Sequence, residues 1–167
     1  MYLLGQILGI CGTICCLTVS LWPKKWQMLV ATALVNAFCA LNLILIGRVG
    51  SVILIYVIAV VQTFVALWHL ARNTDPSRKE NLIFLLLYVV CGSLDLRGAI
   101  DILPVFGSLF HMLATFQKDV HKTRVLLLFN SGTFLVYYVL VGSTSALSCI
   151  CTLTTTIFAI YKYRKTK

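Results

Sequence analysis

Long apolar runs follow one another along this chain, broken only by very short polar connections. About 20 residues are needed to cross a hydrocarbon core of about 30 Å. On that scale the runs predict helices near 3–21, 28–46, 50–70, 81–96, 102–117, 124–141 and 144–162. Turn-forming residues stand where the spans must reverse. Trp22-Pro23-Lys24-Lys25 makes the first turn, Gly47-Arg48-Val49-Gly50 the second and Gly142-Ser143 the last. The segment from Asn81 to Leu94 is short of a full crossing, since Asp95 and Arg97 follow it directly. Residues 81–117 therefore read either as two spans or as a re-entrant hairpin, and two spans are favoured because tilt, local thinning and neighbouring helices accommodate short spans at modest cost.

Composition strengthens this reading. A mean hydropathy of +0.95 with 60% hydrophobic and 11% charged residues excludes a water-soluble domain, whose surface needs about a quarter of its residues charged. The expected class is an all-α integral membrane protein of seven helices. No basic residue precedes the run Leu3 to Leu21, which is unlike a secretory signal, so it is expected to remain as the first span.

Charge sets the orientation. Of 14 Lys and Arg residues, Lys24, Lys25, Arg72, Arg78, Lys79, Lys118, Lys122, Arg124, Lys162, Arg164, Lys165 and Lys167 fall on one side of seven alternating spans, and only Arg48 and Arg97 fall opposite. Cytoplasmic connections retain positive charge, so the C-terminus is expected inside and the N-terminus outside. Trp22, Trp26 and Trp68 cluster at the same interface, as an aromatic belt does. The +9 formal charge lies at span ends, where each cation gains about 1 kcal/mol from anionic lipid. Membrane lipids are thus expected partners and nucleic acid is not.

The first and last thirds of the chain echo each other. Leu34-Val35-Asn36 recurs as Leu128-Phe129-Asn130, Leu45-Ile46-Gly47 as Leu140-Val141-Gly142, and Gly9, Ser51 and Phe64 match Gly107, Ser145 and Phe158. Both units carry a basic connection between first and second helices and a Gly turn between second and third. Two three-helix units joined by one helix must point the same way through the bilayer, as in transporters built from parallel repeats. The divisions expected are 1–72 for the first unit, 73–100 for a loop and linker helix, and 101–167 for the second unit with its basic tail.

Further residues carry a resemblance over nearly the whole length. Asp101-Ile102-Leu103-Pro104-Val105-Phe106-Gly107-Ser108, then Phe116-Gln117-Lys118 with Arg124, and Tyr137-Tyr138 running into Gly142-Ser143, resemble small bacterial inner-membrane proteins of the YgjV type. That family is similar to the SWEET, SemiSWEET and PQ-loop proteins. The resemblance implies a 3+1+3 plan, alternating access and a proline hinge at Pro104, whose aligned position in the first unit is Gln6.

Polar side chains inside a bilayer are costly and face other helices or a wet cavity. Asn36 and Asn130 occupy equivalent places on the second helices, and an amide supplies both donors and an acceptor for a neutral solute. Bonding across to a neighbouring helix is the competing role. Asn42 is six residues beyond Asn36 and on another face. Gln62, on the third helix, is a second candidate; its counterpart region in the last helix is the run Thr152, Thr154, Thr155 and Thr156, with Thr155 the candidate to line the site. Such hydroxyls also bond back to their own helix. His111 lies near the middle of span five and suits proton relay, solute contact or a bond to a backbone carbonyl. Tyr138, beside Tyr137, could stack on a ring or belong to the interface. Gly9, Gly107 and Pro104 suit close packing and bending.

No Asp or Glu lies mid-span, whereas ion-driven pumps usually need one, so passive exchange fits better than active uptake. No HExxH, GxSxG or GxxxxGK[ST] pattern occurs, so no enzyme and no cofactor are expected. Asp95, Arg97 and Asp101 read as an ion-paired turn. Cys11, Cys15, Cys16, Cys39, Cys91, Cys149 and Cys151 lack metal spacing and read as small interface fillers, with neither disulfide nor metal. The function expected is facilitative transport of a small neutral polar solute such as a sugar, nucleoside or vitamin. The alternative is a membrane scaffold or receptor whose basic face binds lipid or a partner protein. Substrate identity, and whether two copies pair as a homo-oligomer, stay open at this point.

Overall fold

The computed structural model describes residues 2–45, 51–94, 96, 98–140 and 145–164. The glycine turns expected at 47–50 and 142–143 lie outside the described residues, as do Arg48, Asp95, Arg97, Lys165 and Lys167. Among the described residues there are seven α-helices: α1 Tyr2–Val19, α2 Lys25–Leu45, α3 Ser51–Arg72, α4 Arg78–Ser93, α5 Ile102–Phe116, α6 Val120–Leu140 and α7 Ser145–Arg164. One 3-10 turn, Ala99–Asp101, leads into α5. Among the described residues, four segments are long and apolar enough to cross a membrane: Ser51–Arg72, Ala99–Phe116, Val120–Leu140 and Ala146–Tyr163.

Local chemistry explains where the helices stop. Asn73 adopts a φ of 53°, the left-handed geometry that asparagine tolerates. Thr74 N–H then bonds the His69 carbonyl at 3.0 Å and Asn73 N–H the Leu70 carbonyl at 3.3 Å, which closes α3 in a Schellman motif. Three residues on, Ser77 caps α4. Its hydroxyl accepts from Glu80 N–H at 3.2 Å while its own N–H donates to Glu80 Oε2 at 2.6 Å, a reciprocal capping box. With 16 residues, α4 is about 24 Å long. A single stripe of Phe84, Tyr88 and Gly92 is buried, so α4 packs by one face on α3 and α5 while Leu82, Ile83, Leu86, Leu87, Val89 and Val90 stay exposed.

The remaining helices close on themselves. α1 packs on α2, α2 on α3, α3 on α5, α5 on α6, α6 on α7, and α7 returns to α1. Two buried clusters hold this arrangement. Val19, Met28, Ala31, Ala114 and Leu127 meet where α2, α5 and α6 converge beside the end of α1, and Ile55, Ala59, Phe84, Tyr88 and Met112 join α3, α4 and α5. α5 contributes to both, which makes it the most central helix. Large apolar side chains remain exposed on every helix, as expected where lipid replaces water around the bundle.

Polar contacts identify the two ends of the bundle. Lys25 reaches Ala114 and Thr123, Arg124 reaches Ser20 and Trp22, Tyr163 reaches Leu21, His69 meets Glu80, and Lys118 meets Asp75 at 2.6 Å. The ends of α1, α3, α5 and α7 therefore lie beside the starts of α2, α4 and α6. The basic residues of the short connections gather there with exposed Trp22, Trp26 and Trp68, and the Arg72 guanidinium rests 4.5 Å from the centre of the Trp68 ring. This is called the basic end below.

Candidate functional site

Among the described residues, four buried side-chain atoms have no hydrogen-bond partner: Gln27 Oε1, Asn36 Nδ2, His111 Nε2 and Asn130 Oδ1. Natural proteins rarely leave such atoms unmet, because each costs roughly 1–3 kcal/mol. Three of them belong to residues singled out from the sequence. Their depth follows from the cluster of Ala31, Ala114 and Leu127. Measured along the helices away from the basic end, Asn36 lies about 7.5 Å beyond Ala31, and His111 and Asn130 about 4.5 Å beyond Ala114 and Leu127. Asn36 on α2, His111 on α5 and Asn130 on α6 thus occupy one layer about a helical turn deep.

Gln62 stands at the edge of this layer, already engaged. It is fully buried, donating through Nε2 to the Met112 carbonyl at 3.0 Å and accepting at Oε1 from the Tyr88 hydroxyl at 2.8 Å. One amide therefore joins α3, α4 and the turn of α5 next to His111. Thr155 bonds back to the Thr152 carbonyl at 3.0 Å on the half-buried face of α7. Tyr138 lies two turns beyond Asn130, where its hydroxyl meets that of Tyr56, so it is outside the layer.

The residues expected to permit close packing are placed as follows. A Cβ on Gly107 would lie 2.7 Å from the Phe134 ring on α6, and one on Gly9 would lie 2.6 Å from Asn42 Nδ2 on α2. In both places the first helix approaches a side chain of the second more nearly than alanine allows. Pro104 is buried in the first turn of α5, where its missing N–H costs little, and its carbonyl accepts from Ser108 Oγ at 2.7 Å.

Thr13, Ser20 and Ser148 were not singled out by sequence, and the pairing of Cys16, Thr152 and Thr156 was not expected. Thr13 with Ser148, Cys16 with Thr152 and Ser20 with Thr156 pair at 3.3, 3.1 and 2.6 Å, forming a polar seam between α1 and α7. The spacing of small polar residues at 13, 16 and 20 against 148, 152 and 156 is its signature, since i, i+3 or i+4, and i+7 or i+8 share a helix face. At the basic end, Lys25 is 8% exposed and donates to the Ala114 carbonyl at 2.7 Å and Thr123 Oγ1 at 2.8 Å. Arg124, 2% exposed, donates to the Ser20 and Trp22 carbonyls at 3.0 and 2.9 Å and lies over the Tyr163 ring. In the sequence both look like ordinary topology charges, and only their packing distinguishes them from exposed Lys24 and Lys122.

An all-helical bundle with apolar outer faces, a buried polar layer and a cationic end defines an integral membrane protein. The chain belongs to the Imp-YgjV family of bacterial inner membrane proteins, which it matches over residues 3–167. Its location is accordingly the bacterial inner membrane. No curated protein and no solved structure matches it.

Proposed function

We propose that the protein is a facilitative carrier of a small polar solute, held between two three-helix units at the layer of Asn36, His111 and Asn130. The observation that carries this reading is that Asn36, which is buried, and His111 and Asn130, which are half-buried, each hold one buried polar atom with unmet hydrogen-bonding capacity, on three different helices. A hydroxyl- or amide-bearing solute would satisfy a donor at one asparagine and an acceptor at the other. Gln62 then acts as a positioning residue, fixing the turn of α5 beside His111.

A 3+1+3 arrangement, as in SWEET-like carriers, is supported by matched details. Lys25 near the start of the second helix caps the fifth, while Arg124 near the start of the sixth caps the first. Gly9 and Gly107 make equivalent close approaches to the helix that follows each. Rocking of α1–α3 against α5–α7, with α4 as the strut, would alternate exposure of the layer. The basic end is then cytoplasmic. The absence of an acidic residue mid-span in the sequence favours exchange without an ion gradient.

Thermal-shift screening of purified protein against neutral metabolites identifies the solute, since a ligand of the folded state raises stability. The Asn36→Leu/Asn130→Leu protein is expected to unfold near the parent midpoint, to lose the ligand-dependent shift and to lose flux in liposomes. Equal shifts and flux in both proteins would remove the site and leave the scaffold reading, in which the asparagines only fasten helices.

A further inference from the structure

Two small cavities meet at Lys25. The one nearer the basic end, about 20 Å³, is bordered by His69, Thr74, Gln117 and Lys118. The deeper one, about 10 Å³, is bordered by Thr32, Thr123 and Leu127. Lys25, Leu29 and Thr115 border both. Leu127 is three residues short of Asn130, and Thr115 four residues past His111, whose carbonyl it bonds at 2.8 Å. The cavities, each about the size of a single water, therefore lie one after the other from the basic end toward the polar layer, with Lys25 at the throat between them, and neither is bordered by Asn36, His111 or Asn130.

The charge along this line is one-sided. Neither cavity is lined by an Asp or Glu, whereas two lysines and a histidine contribute. At the mouth Lys118 is paired with Asp75 and His69 with Glu80. In the throat the acceptors of Lys25 are a carbonyl and a hydroxyl. A cation buried without a carboxylate is costly, and its field is screened less than that of an exposed lysine. Lys25 also crosses between the two halves of the chain, from α2 to α5 and α6.

We infer that this line is the basic-end entrance to the polar layer, that the ammonium of Lys25 closes it, and that it admits neutral or anionic groups while rejecting cations. The inference rests on the carrier reading for its purpose, but its test needs no solute. A thiol is introduced by Thr32→Cys in the deeper cavity of the full-length protein. Its labelling by an anionic and a cationic methanethiosulfonate is timed against the protein without that substitution, and each rate is divided by that with a free small thiol.

The anionic reagent is expected to be favoured roughly threefold to tenfold, the scale of one unit charge a few ångströms away at a partly screened site. Adding Lys25→Met should bring the ratio near one and raise both rates, whereas Lys25→Arg should preserve the preference. Thr123 Oγ1 lies 3.4 Å from the Ala114 carbonyl, so a donor to that carbonyl remains when the ammonium is gone. A ratio of one or below in the Lys25 protein overturns the inference by itself, even if the methionine variant fails to fold. An unchanged ratio in a folded Lys25→Met protein overturns it as well. Labelling as expected from a protein that moves no solute keeps the entrance and discards the carrier.

Discussion

Lys25 and Arg124 exchange places as helix caps: the cation at the start of α2 closes the end of α5, and the cation near the start of α6 closes the chain leaving α1. The last carbonyls of a helix lack intrahelical donors, and a cation there is favoured by the helix dipole. Each cap also crosses from one half of the chain to the other. Two charges that the sequence presents as membrane-orientation signals therefore bind the bundle together at its basic end.

Removing the Arg124 cap should weaken the fold measurably. Arg124→Met strips donors from the Ser20 and Trp22 carbonyls and is expected to cost about 2–4 kcal/mol, seen as a lower unfolding midpoint in detergent. Tyr163→Phe loses one bond of 3.1 Å at an exposed position and should cost less. An Arg124→Met protein as stable as its parent would show that the guanidinium contributes nothing net.

Gln62 and Tyr88 form a buried pair whose removal should be non-additive. Gln62→Leu leaves the Tyr88 hydroxyl and the Met112 carbonyl without their partner and is expected to cost about 1–3 kcal/mol. Adding Tyr88→Phe removes the stranded hydroxyl, so the double variant should recover part of that loss. Strictly additive midpoints for the single and double variants would argue against the hydrogen bond as the coupling between α3 and α4.

The α3–α4 corner should respond to acid. Glu80 is held below its ordinary 4.5, first by the Ser77 backbone N–H, then by the Ser77 hydroxyl, and next by His69. A carboxylate with a depressed folded pKa adds stability that is present above the unfolded value and fades as pH falls through the folded one. Between pH 5 and pH 3 the parent should therefore lose more of its unfolding midpoint than Glu80→Gln does. Parallel curves would mean that the capping box does not depend on the charge.

Much of the candidate site was legible because a buried amide or imidazole in an apolar run is conspicuous. Asn36, His111 and Asn130 needed only their position within a span to stand out, and all three prove to have unmet polar atoms. Gln62 was equally conspicuous, but its engagement with Tyr88 and Met112 joins residues 26 and 50 positions apart, which no local pattern encodes. Tyr138, singled out toward the outer end of span six, lies two turns beyond Asn130 against Tyr56.

The sequence by itself determined the class of molecule and the seven helices found among the described residues, because apolar runs mark the segments that hydrocarbon tolerates and turns collect the rest, although α2, α4 and α6 begin at Lys25, Arg78 and Val120, ahead of the apolar runs themselves. It also determined that basic residues gather at one end, since charge is tolerated only between spans. Tertiary structure alone decided which cations are buried, which polar side chains are satisfied, and that α7 returns to α1 through a seam of hydroxyls and a thiol. Those outcomes depend on which faces of different helices meet, and distances along the chain do not record how one helix is rotated against another.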